Sequence, residues 1–368
     1  MKICGIEVFQ VAWQPEDQPG QRSAWVRVRC DDGRFGLGEA SPMQGGLASL
    51  GIIARDLAPA LIGEDPLDHA VLHDRLLHRF VKLGPEGALT GALAALDIAL
   101  WDLKGKLFGQ PIYKLLGGAW RTSLPFYASI GGNGERHVDQ VLRVVETRLK
   151  DQPAAVKIRF DADRTRPDHD IPGDIEKARA VRRLVGDALP LAFDANNGYT
   201  VGGAIRVGRA LEELGYWWFE EPVQHHVKAM GEVARRLDIT VSAGEQTYTL
   251  AGLADLIDAG VRMVQPDIVK MGGLTGMLRC AALAQAHGVE LVPHQTQPMI
   301  GHMASLHLAA SQLHAAKPCE LNDPSPRQHA VFDNPPQPVD GLFHLPTGPG
   351  LGLRVNEAEL AKRRVPIG

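Results

Sequence analysis

The sequence predicts an α/β fold, a closed (β/α)8 barrel preceded by an α+β capping domain that the C-terminal tail completes. Three observations carry this. The chain has 368 residues, too long for one small domain and enough for a barrel of about 250 residues plus an appended unit. From residue 125 or so onward, short apolar runs alternate with longer amphipathic ones, and eight such runs can be counted. Nearly all of the short runs end at or near an ionisable residue, and the C-terminal rim of a barrel is where catalytic groups converge.

The first 40 residues read as strands. Ile6, Val8, Phe9 and Val11 form a β-branched and aromatic run, Trp25-Val26-Arg27-Val28-Arg29 alternates cleanly, and Asp32-Gly33 supplies a hairpin turn before Arg34. The polar stretch 13–21, with two prolines and a glycine, is a loop. Residues 46–118 are mostly helical, with Leu93, Leu96, Leu100 and Leu103 at helical spacing and Gly117-Gly118 as a stop. The barrel strands are expected at 124–129, 155–160, 191–194, 216–220, 241–244, 263–265, 289–293 and 318–321, with helices such as 174–185, 201–214, 227–237, 248–259 and 276–287 between them. The expected domains are therefore a cap at 1–122, a barrel at 123–327 and a returning segment at 328–368.

Composition bounds the function. The chain is 45% hydrophobic and 22% charged with a net charge of −4, so a large core is available and no nucleic-acid or anionic-membrane footprint is present. No apolar run reaches the roughly 18 residues of a membrane span, and residues 1–5 lead straight into a strand without a signal-peptide pattern. A cytoplasmic enzyme is the expectation. Cys4, Cys30, Cys280 and Cys319 form no CxxC pair and are read as reduced packing residues.

The polar residues at the strand ends carry the chemistry. Asp194, the pair Glu220-Glu221 and Glu245 follow three successive strands. Three converging carboxylates repel one another, and a divalent cation relieves this; oxygen ligands without Cys or His favour Mg²⁺. Glu220 and Glu221 are strand neighbours that should face opposite ways, so only one can be the inward ligand, and the pattern does not choose. Lys157 and Arg159 share one side of their strand and suit an anionic substrate. Asn196 follows Asp194 by two and could hydrogen-bond a substrate hydroxyl. Asp267 and His294 end neighbouring strands, so the acid could orient the imidazole and raise its basicity. Gln295, Gln297 and Asn322 are candidate readers of substrate hydroxyls. His287, His302 and His307 lie on helical patterns and are read as structural.

These residues resemble the enolase superfamily, mandelate racemase subgroup. The resemblance runs through Gly36-Leu37-Gly38-Glu39, the helix from Ala95 to Asp102, Phe193-Asp194-Ala195-Asn196, Phe219-Glu220-Glu221-Pro222, Gly244-Glu245, the segment from Val264 to Gly273, and Val292-Pro293-His294. It implies one Mg²⁺ per active site on Asp194, Glu220 and Glu245, selecting the first glutamate of the pair. It implies an Asp267–His294 dyad, with Lys270 excluded as base, and a Glu320 that hydrogen-bonds the enediolate. It also implies lid stretches near 13–22 and 42–48, with Trp13 at the substrate, and a homo-oligomer of two to eight copies. One departure matters: the usual Lys-x-Lys is here Lys157-Ile158-Arg159. Arginine holds its proton above a pKa of about 12, which disfavours a two-base racemase and leaves His294 as the main base. The expected reaction is acid-sugar dehydration to a 2-keto-3-deoxy acid in carbohydrate catabolism. An epimerase or lactone cycloisomerase using the same enolate, and a catalytically silent binding protein, remain alternatives.

Overall fold

The computed structural model describes residues 1–14, 16–131, 137–159, 165–297, 299–322 and 330–367, apart from the side chains of Met43 and Gln44. The expected boundary at 327/328 and parts of both lid stretches fall outside them.

At the N-terminus, β1 (Ile3–Val11), β2 (Ser23–Cys30) and β3 (Phe35–Ala40) form an antiparallel sheet, and β13 (Arg364–Pro366) adds to the free edge of β1. The C-terminal tail thus completes the cap, as expected. The 21-residue helix Ala88–Phe108 packs on this sheet. The approach is so close that a Cβ at Gly36 would meet the carbonyl of Ala99, and one at Gly38 the carbonyl of Ala95. Glycine at both positions lets the strand lie against the helix backbone.

That helix is apolar on nearly every side, yet it buries two acids that join separate parts of the chain. Asp102 accepts from the amides of Leu37 (2.9 Å) and Leu351 (2.9 Å) and from Lys106 Nζ (2.7 Å). Asp97 accepts from the amide and hydroxyl of Thr275, at the start of the barrel helix Gly273–His287. Buried carboxylates so fully hydrogen-bonded are tolerated in a core, and here they fasten the cap to the barrel and to the tail.

The barrel strands are β4 (Ser123–Gly131), β5 (Ala155–Arg159), β6 (Leu191–Asp194), β7 (Trp218–Glu220), β8 (Thr240–Ala243), β9 (Met263–Val264), β10 (Glu290–Leu291) and β11 (Cys319–Leu321). They pair in sequence order from β4 to β10, all parallel, and β11 returns to β4. Where β10 meets β11 the described residues make no backbone ladder. Side chains bridge that seam: Glu320 accepts from the Gln295 amide at 2.9 Å, and Asn322 Nδ2 donates to the Gln295 carbonyl. The outer strand β12 (Leu342–His344) lies antiparallel on β4. Among the described residues no helix is long and apolar enough to cross a membrane.

His307 illustrates the structural histidines. On helix Ile300–Ser311, its Nδ1 accepts from the Tyr113 amide and its Nε2 donates to the Leu351 carbonyl, both at 3.3 Å. Burial pushes its pKa down from 6.5 to about 4. The folded protein therefore resists protonation that the unfolded chain accepts. The stability this gives is complete above pH 6.5 and is lost as pH falls towards 4, by about 3 kcal/mol in all. Urea unfolding from pH 7 to 4.5 should show this loss, and His307→Gln should flatten that part of the pH profile.

Candidate active site

The barrel mouth is built by period-two alternation. Tyr127, Ala155, Ala192, Trp218, Met263 and Val292 form an interior floor. Two residues further along their strands, and so on the same side, come Ser129, Lys157, Asp194, Glu220, Gln265 and His294. Although β9 and β10 are short, Asp267 and His294 make one more bridge beyond them, which sets these two residues side by side.

Lys157 stands at the centre and is 1% exposed. Its Nζ lies 2.6 Å from Glu220 Oε1, 2.9 Å from Glu320 Oε1 and 3.9 Å from Asp194 Oδ2. Burial works to lower its pKa, but these carboxylates reverse that and hold the ammonium well above its usual range. Glu220 Oε2 accepts from Gln265 Nε2 (2.8 Å) and Trp218 Nε1 (3.1 Å). Gln265 was not singled out in the sequence, although its place two residues before Asp267, just beyond β9, could have indicated it.

His294 is buried between two acids. Its Nδ1 lies 2.8 Å from Asp267 Oδ2 and its Nε2 2.8 Å from Glu245 Oε2. Burial tends to lower its pKa, but Glu245, Glu320 and Asp267 together raise it well above 6.5. The structure thus brings Asp267 and His294 side by side.

The expectation that Glu220 and Glu221 face opposite ways needs correction. Strand β7 ends at Glu220, and Glu221 has φ 37°. This left-handed turn ends the alternation, so the pattern does not set the direction of Glu221, whose carboxyl lies within electrostatic reach of Glu245, Asp194 and Glu220. Glu221 is 1% exposed; its Oε2 accepts from Asn197 and Gln246, both at 2.9 Å. Asn196 (φ 44°) and Asn197 (φ 67°) are left-handed too, so Asn196 does not follow Asp194 by strand alternation. Its amide donates to Asp194 Oδ1 at 2.7 Å, and its buried side-chain Oδ1 is left without a hydrogen-bond partner. Three of the six non-glycine left-handed residues among those described therefore sit here, at the kind of place where backbone strain collects.

The remaining candidates differ in availability. Arg159 ends β5 in register with Asp194, and its charge helps to stabilise that carboxylate. The side chain of Gln295 is engaged with the backbone of Gln297 through both ends. Gln297 reaches towards Asp267 at 3.5 Å, and its buried Oε1 has no hydrogen-bond partner, so Gln297 is better placed than Gln295 to meet a hydroxyl. Trp13 packs edge-on against Trp25 and donates its N–H to Ser23 at 3.2 Å. It is 6% exposed, which restricts any substrate contact to one edge.

The acids suit a divalent ion. Burial, then Glu220 and Glu245, press the Asp194 carboxyl well above its usual range. Glu221 is raised by burial, Glu245, Asp194 and Glu220. Among the described residues no three acid, histidine or cysteine side chains stand in ready coordination geometry; Glu220 leans on Lys157 and Glu245 on His294. The crowding of buried negative charge and the all-oxygen donor set nevertheless fit Mg²⁺.

Comparison with known proteins gives a consistent picture. Residues 8–117 match the family described as mandelate racemase / muconate lactonizing enzyme, N-terminal domain, and residues 139–359 match the enolase C-terminal domain-like family. The chain is 33% identical to the D-galactarolactone cycloisomerase of Agrobacterium fabrum, over 93% of this chain and 91% of the relative. It is 30% identical to the arabinonate dehydratase of Saccharolobus solfataricus, over 90% and 88%. A solved structure of a mandelate racemase/muconate lactonizing protein from Paracoccus denitrificans, complexed with magnesium, is 66% identical with a TM-score of 0.96, covering 100% of this chain and 99% of that one.

Proposed function

Because the chain belongs to the mandelate racemase/muconate lactonizing enzyme family of the enolase superfamily, we propose that it is a Mg²⁺-dependent enzyme that abstracts the α-proton of a hydroxy-carboxylate, acting as an acid-sugar dehydratase. The observation that carries this reading is the buried Asp267–His294 pair, 2.8 Å apart, beside Lys157 and three carboxylates. Asp194, Glu220 and Glu245 would hold the ion. When bound, Mg²⁺ would supply fixed positive charge against the substrate carboxylate as its α-proton leaves.

This chain's own groups do the rest. Asp267 takes the Nδ1 proton of His294 as a hydrogen bond, and Nε2, which faces Glu245 at 2.8 Å, would become the basic nitrogen once Glu245 holds the ion. Nε2 removes the α-proton. Lys157 places a second positive charge where the enediolate develops. Arg159, which cannot serve as a base, would pair with a substrate carboxylate. The C3–O bond then breaks, the protonated His294 gives its proton to the leaving hydroxyl, and water departs. The enol tautomerises to a 2-keto-3-deoxy acid. Asn196 and Gln297 offer their unpaired oxygens to substrate hydroxyls. The Glu320 carboxyl is raised by burial but lowered further by Lys157 and His294, so it sits below its usual range. It therefore enters as an acceptor that holds Lys157, and must gain a proton to donate to the enediolate.

A panel of aldonates and aldarates incubated with Mg²⁺ should give a hit that forms a semicarbazide-reactive 2-keto acid, and chelation of the metal should abolish turnover. The 33% identity to a cycloisomerase favours one second reading, in which a sugar-acid lactone is opened through the same enolate. Turnover confined to lactones would select it over dehydration of open-chain acids. Failure of every acid and lactone would overturn both.

A further inference from the structure

We propose that Glu39, a residue of the cap, is a positioning residue for this active site: it ties Trp13 to the N-terminus of the helix that follows His294, so that cap and base-bearing segment are set as one unit. The inference rests on the reading of His294 as the base, but the link itself can be tested without turnover.

Ser23 and Trp25 share one face of β2, and Glu39 is the register partner of Trp25 on β3. Glu39 is fully buried. Its Oε1 accepts from Trp25 Nε1 at 3.4 Å, and its Oε2 accepts from the Gly301 amide at 3.1 Å. The Ser23 hydroxyl faces the same carboxylate and helps to hold its pKa down, and the Ser23 oxygen accepts from Trp13 Nε1 at 3.2 Å. The polarity of this chain follows from the groups. An indole N–H can only donate, so Ser23 accepts from Trp13 and keeps its single proton to offer to Glu39. Two donors lie within hydrogen-bond distance of the carboxylate, and one of them comes from a residue 262 positions away on the barrel.

Gly301 is in the first turn of helix Ile300–Ser311, where amides have no partner within the helix and a carboxylate is favoured. The same segment carries His294 and Gln297 a few residues earlier. Filling this space alone would not need a charge, because an apolar side chain would pack there without desolvation cost. Burial raises the Glu39 carboxyl to about 7, and the Asp267 charge contributes, which sets Glu39 within electrostatic reach of the dyad. An amide in its place would present N–H groups to the Trp25 indole or the Gly301 amide, so the donor pattern requires a carboxylate.

The test compares wild type, Glu39→Gln and Ser23→Ala, each as the full chain, by amide hydrogen exchange and by steady-state kinetics. For Glu39→Gln we expect exchange to rise about tenfold in two peptides together, the one containing Trp13 and the one covering 301–306, with the β1–β2 ladder unchanged. For Ser23→Ala, exchange should rise around Trp13 alone, with KM raised about fivefold and kcat within twofold. Adding Ser23→Ala to Glu39→Gln should change nothing further near Trp13. A rise in only one peptide for Glu39→Gln, or a uniform rise across the cap strands, would overturn the proposal; Ser23→Ala keeps it testable if Glu39→Gln folds poorly. If no substrate is found, the proposed function fails while the exchange pattern still decides the link.

Discussion

His294→Asn is expected to lower kcat by about 10³- to 10⁴-fold while leaving the fold and Mg²⁺ affinity near wild type. Asparagine can still donate to Asp267, which in wild type lies 2.8 Å from Nδ1, so the local hydrogen bonding survives. It has no basic nitrogen, and no other neutral base is positioned to replace the imidazole: Arg159 holds its proton, and Lys157 is kept charged by Glu220 and Glu320. Asp267→Asn should act in the same direction with a smaller loss, because an amide can stabilise the wrong tautomer of the ring. Stopped assays on the best acid-sugar substrate, paired with calorimetric Mg²⁺ titration, separate a chemical defect from a metal defect. A variant that retains a tenth of wild-type kcat would remove His294 from the role of base.

Lys157→Met should have the second large effect, and on two quantities. The ammonium is almost fully buried against Glu220, Glu320 and Asp194. Removing it strands negative charge in the interior, a change that costs about 3–5 kcal/mol. It also removes positive charge from the site where the enediolate forms, so kcat should fall by about 10²-fold or more. The two effects can be parted by adding Glu320→Gln. That second change relieves the stranded charge and should recover part of the unfolding free energy, yet leave kcat low. Recovery of kcat in the double variant would mean that Lys157 acts only through stability.

Much of this site follows from local pattern. Asp194, Glu220, Asp267 and His294 each stand at the end of an apolar run, and a closed barrel turns such ends to one mouth. Alternation alone places Lys157 beside them. The features that pattern could not give depend on backbone angles or on distant partners. Nothing in a glutamate specifies φ 37°, so the left-handed turn at Glu221 was not legible. Gln295 looked available until its side chain proved to be engaged by its neighbour Gln297. The stretch from Ala95 to Asp102 read as helix, and it is a buried helix, but its two acids find their partners at Thr275 and Leu351. Glu39 is the same case: alternation gives its face, while its contact with Gly301 arises only when cap and barrel dock.

The most direct test is the fate of the substrate α-proton, followed by proton NMR in D₂O with and without Mg²⁺. With wild-type enzyme and Mg²⁺, the α-resonance of the best substrate should disappear at the rate of turnover, and it should persist with His294→Asn or with the metal chelated. Loss of that resonance at an undiminished rate in His294→Asn, or in the absence of any divalent ion, would contradict the account.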